Sequence, residues 1–149
     1  MKNTLIKYYA CGMLKYLSDT DSEEKIKKIG RDLGGSVVLL YDFKPDSDIR
    51  SLLFRITFEL FPLLYHSERS IQKSNKEKNV YYLTELNPLF ANYSSKNENF
   101  CFESLIAGMI EQILEFSKFF CKVTAYPILK NEKSYKITYE IELINSYEL

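Results

Sequence analysis

The side chains best able to do chemistry in this chain are few and poorly partnered. His66 is the single histidine, and Ser67 and Glu68 follow it directly. A Ser–His–acid hydrolase draws those groups from separate segments, so three neighbours in one polar connector read as surface residues. Glu111 and Glu115 stand one helical turn apart, as carboxylates of a dinuclear metal site do. Such sites also need Glu-x-x-His pairs from other helices, and there is no second histidine. The pair therefore reads as solvated helix charge. Cys11, Cys101 and Cys121 are odd in number and widely spaced, which suits neither a disulfide framework nor a zinc site. Cys101 and Cys121 sit among phenylalanines and read as inert buried thiols. No P-loop, dinucleotide-binding glycine pattern or zincin motif is present, so the expectation is no enzyme, no metal and no cofactor.

The elements that would position these groups are easier to read. The 149 residues are expected to form one domain, 1–149, long enough to bury a core without staples. Twenty basic residues balance twenty acidic ones, which argues against nucleic acid as a partner. Lys7 and Lys15 interrupt the apolar run at the N-terminus, so it is not read as a signal peptide. No apolar stretch is long enough for a membrane span, and reduced thiols fit a cytoplasmic protein.

Periodicity predicts a first helix from Thr4 to Leu17 and a second across "SEEKIKKIGRDLGGSVVLLYDF". Gly30 and Gly34 lie one turn apart in the second. Either another backbone passes close to that face, or Gly34 and Gly35 end the helix. A third helix follows Pro45 and is expected to stop before Pro62. Ile49, Leu52, Leu53, Ile56 and Leu60 form one apolar stripe on it, and Phe54, Phe58 and Phe61 form a second. A helix apolar nearly all round is buried on more than one side, which points to a cavity or another subunit. The aromatic content, 15% with twelve Tyr, ten Phe and no Trp, reads first as a thick core and suits a protein interface as well.

"HSERSIQKSNKEKN" reads as a polar connector, and "VYYLTEL" with "FANY" as a first strand pair. The helix "SLIAGMIEQILEF" carries Gly108. At 100° per residue, Gly108 falls opposite the broad apolar face, between Glu111 and Gln112. It is either an exposed glycine or a second place of close backbone approach. "CKVTAYPI" and "KSYKITYEIEL" form the last strand pair, the latter alternating through Tyr135, Ile137, Tyr139, Ile141 and Leu143. The expected fold is α+β, in the order ααα-ββ-α-ββ, with about four helices on a small four-stranded antiparallel sheet.

The order of features from "NPLF" through "AG" to "KVTA", with "IGRDLG" and "RITFELF" upstream, resembles the small subunits of the transport protein particle (TRAPP) tethering complex. The likeness is to the BET-three-like α/β branch, and within it the pattern is most similar to subunit five. The resemblance runs from about Ala10 to Ile144. It implies a helical layer on a four-stranded antiparallel sheet, pairing with other TRAPP subunits through helical faces as a homo- or heterodimer, and no catalysis by the single chain. It further implies vesicle tethering between endoplasmic reticulum and Golgi, with Rab guanine-nucleotide exchange performed by the assembled complex. Gly30, Gly34, Phe54, Phe58, Phe61 and Gly108 are the positions expected at a subunit interface or close helix packing. Two features depart from the family. The founding subunit's acylated cysteine has no counterpart in "YDFKPDSD", and the longer N-terminal arm of the subunit-five group has none either. The alternative reading is a domain whose aromatic surplus lines a cavity for a small apolar ligand or lipid.

Overall fold

Glu23 and Glu24 open the first described helix, where acidic side chains suit the exposed N–H groups of a helix start. The computed structural model describes residues 23–89, 102–131 and 134–144. The helix expected over Thr4–Leu17 and the strand expected in "FANY" lie outside these residues. Helix α1 spans Glu23–Leu40 and buries Ile26, Gly30, Gly34, Val37 and Val38 along one face. It runs straight through Gly34 and Gly35, so neither glycine ends it.

Asp48 caps the next helix, its carboxylate accepting the Ser51 N–H at 3.0 Å. This helix, α2, is α-helical over Ile49–Arg55, widens to a π-helical turn over Ile56–Leu60, and closes as α-helix over Phe61–Leu64. Pro62 was expected to stop it. Proline has no N–H and its ring crowds the carbonyl four residues back, here that of Phe58. The π turn relieves that conflict, the Phe61 N–H reaching five residues back to the Ile56 carbonyl. The chain therefore keeps its helical course past the proline.

Helix α3, Ser104–Phe116, is buried along almost its whole length. It ends in a tight return. Phe119 N–H bonds Leu114 O at 3.0 Å, Lys118 N–H bonds Glu115 O at 2.8 Å, and Lys118 takes a left-handed φ of 69°. This is the bond pattern of a helix C-terminus closed by a left-handed residue, usually glycine. Strand begins three residues later.

The sheet contains β1 (Arg69–Lys73), β2 (Val80–Glu85), β3 (Cys121–Leu129) and β4 (Tyr135–Leu143), in the order β1-β2-β4-β3 with every pair antiparallel. Among the described residues, β2 lies between β1 and β4. β2 pairs with β1, which lies inside the stretch read as a polar connector. Leu83, Ile137, Tyr139, Ile141 and Val123 project into the core, while Ser70 and Gln72 of β1 are exposed. The α+β architecture with an antiparallel four-stranded sheet agrees with expectation. Three of the expected helices fall within the described residues.

Candidate interaction site

The residues singled out for chemistry fall into two groups, His66, Ser67 and Glu68 beyond α2, and Glu111, Glu115 and Cys121 around the join of α3 and β3. His66 is exposed just beyond the end of α2, far along the chain from Cys121 at the start of β3. Burial and then the charge of Glu111 push the Cys121 thiol up to about 12, so it stays protonated and unreactive. Cys11 and Cys101 lie outside the described residues. Among the described residues no cluster of His, Cys, Asp and Glu could hold a metal ion. No helix among them is long and apolar enough to cross a membrane.

The glycines meet one another's helices. A Cβ on Gly30 would overlap the Leu105 carbonyl, and one on Gly34 would lie 2.8 Å from the Met109 carbonyl oxygen. From the other side, a Cβ on Gly108 would overlap the Lys27 carbonyl and approach the Arg31 nitrogen at 3.0 Å. Gly30 with Leu105 and Gly34 with Met109 advance together, so α1 and α3 run in the same direction with backbones touching. Only hydrogen fits at these three positions. Gly108 is buried, and the polar side of the α3 wheel faces α1 rather than water.

That seam carries charge as well. Glu111 is buried, not solvated as its spacing suggested. Its carboxylate meets Lys27 and Arg31 of α1, the latter at 2.8 Å, and accepts the Val123 N–H of β3 at 2.8 Å. Arg31 also pairs with Glu115. One side chain therefore ties two helices to the sheet. A buried carboxylate is tolerable only with partners on both oxygens, and here both are satisfied.

A second buried cluster was not foreseen. Arg69 and Glu85 stand directly opposite on β1 and β2, with Arg69 Nε donating to Glu85 Oε2 at 2.7 Å. Tyr65 donates its hydroxyl to Glu85 Oε1 at 2.7 Å, and an Arg69 amino group donates to the Tyr65 carbonyl at 3.0 Å. The guanidinium lies 4.5 Å from the Tyr65 ring centroid and 5.6 Å from that of Phe61. Burial raises the Glu85 carboxyl above its ordinary value, with Arg69 pulling it back. The cluster fastens the end of α2 to the edge of the sheet. Its sequence signal was the charge of Arg69 and Glu85 within two short alternating runs, visible only once those runs are paired.

The aromatic stripe of α2 divides. Phe61 is 0% exposed and belongs to the core, packed against Tyr65 with centroids 6.1 Å apart. Phe54 and Phe58 point outward, 55% and 44% exposed, with ring centroids 4.9 Å apart. Leu63 and Arg50 are exposed on the same helix. Among the described residues, Phe54 and Phe58 form the one aromatic ring pair on the surface, tilted by 50° to each other. The side of α2 bearing Leu52, Leu53, Ile56 and Leu60 is fully buried, so the helix is apolar on two sides and, within the described residues, only one is fully covered.

The sequence matches the family described as transport protein particle (TRAPP) components over residues 5–144. A protein of Encephalitozoon cuniculi (strain GB-M1), assigned as trafficking protein particle complex subunit TRS31, is 29% identical over 145 residues, covering 94% of this chain and 99% of that one. The fold is similar to a trafficking protein particle complex subunit 3 from Naegleria fowleri, crystallised covalently bound to palmitic acid. The TM-score is 0.69 at 12% identity, with 97% of this chain and 98% of that one covered. A mutant H-NOX protein of T. tengcongensis shares the fold at a TM-score of 0.59 and 10% identity, over 96% of this chain and 74% of that one. These two similarities concern fold alone. The match along nearly the whole sequence decides the family: this chain belongs to the TRAPP components.

Proposed function

We propose that this chain is a non-catalytic subunit of a vesicle-tethering TRAPP complex acting in endoplasmic reticulum to Golgi transport, and that it binds neighbouring subunits through α2. The observation that carries the reading is the Phe54–Phe58 ring pair, half exposed on a helix whose other side is already buried. Large, rigid aromatic rings are what interface cores select, and arginine is enriched beside them, as Arg50 is here. The chain would act at the cytoplasmic surface of endoplasmic reticulum and cis-Golgi membranes. Its contribution to Rab guanine-nucleotide exchange would be to the assembly that performs it. The palmitic acid of the Naegleria relative is not carried over, because residues 41–48 contain no cysteine.

Co-expression with other TRAPP subunits, followed by native mass spectrometry, tests the reading. Stoichiometric incorporation into a larger assembly is the expected result. A stable monomer that ignores those subunits and retains one lipid per chain would replace it with the apolar-ligand reading.

A further inference from the structure

The two edges of the sheet are finished differently. On β3, the bonds Lys130 N–H to Ser134 O and Ile144 N–H to Phe120 O place even-numbered residues toward β4. Odd-numbered residues turn their backbone groups outward. Of these, Val123 gives its N–H to Glu111, and Pro127 has none to give. A proline at an outward position and a covering carboxylate both discourage strand addition.

Among the described residues, β1 has no such device. Ser74 N–H to Val80 O and Leu86 N–H to Glu68 O again direct even-numbered residues inward to β2. Arg69, Ile71 and Lys73 therefore present N–H and C=O groups along the outer edge, and among the described residues no hydrogen bond reaches the backbone of Ile71. Ile71 is only partly buried, the one apolar side chain of the strand. The ends of the edge carry opposite charge. Exposed Glu68 precedes it, and exposed Lys76 and Lys78 outnumber Glu77 in the turn that follows. Among the described residues, neither Glu68 nor either of these lysines is in an ion pair.

We infer that this edge is self-complementary and that its partner is the β1 of a second copy of the chain. Antiparallel pairing about Ile71 sets Ile71 opposite its own counterpart and Arg69 opposite Lys73. Every outward N–H and C=O of the three residues then finds a partner. The same register brings Glu68 beside Ser74 of the second copy, next to its lysine turn, twice by symmetry. Arg69 opposite Lys73 brings no uncompensated repulsion, since Arg69 is neutralised by Glu85 and the Lys73 ammonium rests on the carbonyls of Glu77 and Lys78. The product is one continuous sheet across two chains. The edge is short, so the association is weak and reversible. It does not rest on the role proposed for α2.

Sedimentation velocity between about 1 and about 200 µM tests this, using Phe58→Glu protein so that association through α2 is removed. The expected result is a monomer–dimer equilibrium in which hydrogen exchange at the Ile71 amide slows as concentration rises. Glu68→Lys should weaken the dimer about fivefold, and adding Lys76→Glu should restore it. Ile71→Pro removes the outward N–H, although it also trims a side chain packed against the core, and should abolish the dimer while the Phe58→Glu monomer stays folded by circular dichroism. A monomer at every concentration, or a dimer indifferent to Glu68→Lys with unchanged Ile71 exchange, would overturn the inference.

Discussion

Along the seam between α1 and α3, side chains are reduced to hydrogen so that two backbones touch. Along the outer side of α2, two phenyl rings stand half in water. Both stretches look anomalous in a soluble helix, for opposite reasons. Glycine weakens a helix by about 1 kcal/mol each relative to alanine, a cost recovered only if close approach yields contact elsewhere. At Gly30, Gly34 and Gly108 the recovery is internal, through α1 against α3 and the charges of Lys27, Arg31 and Glu111. At Phe54 and Phe58 no equivalent closure exists within the described residues. The lesson is that an odd residue in a helix points to a contact without saying whose contact it is.

The sharpest way to break the first half of this comparison is Gly108→Leu. Its side chain would have to displace the Lys27 backbone, so a loss of about 4 kcal/mol or more is expected, seen as failure to fold or a collapsed thermal midpoint. Next comes Glu85→Ala, which strands a buried Arg69 beneath the end of α2. Chemical denaturation should register a loss of about 3 kcal/mol. The smallest effect sharpens the glycine argument by control. A Cβ on Gly35 meets only the Gln112 side chain, at an ordinary 3.9 Å, and its φ is not positive. Gly35→Ala should therefore raise stability by about 0.7 kcal/mol in the same assay. If it destabilised as Gly34 substitutions should, the seam would be wider than the three positions named.

How much of this was legible in the sequence differs by element. The strand through Tyr135, Ile137, Tyr139, Ile141 and Leu143 declared itself by alternation, because one face is core and the other is not. The close approach at Gly30 and Gly34 was visible as a one-turn spacing, but its partner was not, since spacing carries no information about tertiary neighbours. Gly108 was left between exposure and close approach, and Glu111 was misread as solvated, for the same reason. A wheel sorts polar from apolar, whereas here the polar side is buried against lysine and arginine from another helix. β1 was missed because a polar edge strand with a single isoleucine resembles a loop. The π turn was missed because a proline rule describes an α-helix and the chain left that register. Phe61 was grouped with Phe54 and Phe58 by regular spacing, which the same π turn rewinds.

The central claim is that the outer α2 face serves a partner and not the core, and Phe58→Glu tests it directly. Folding free energy of the isolated chain and affinity for co-purified TRAPP subunits should be measured on the same protein. The account predicts stability within about 0.5 kcal/mol of the unmodified chain and affinity reduced at least about thirtyfold. A loss of several kcal/mol in stability, or unchanged affinity, would contradict it.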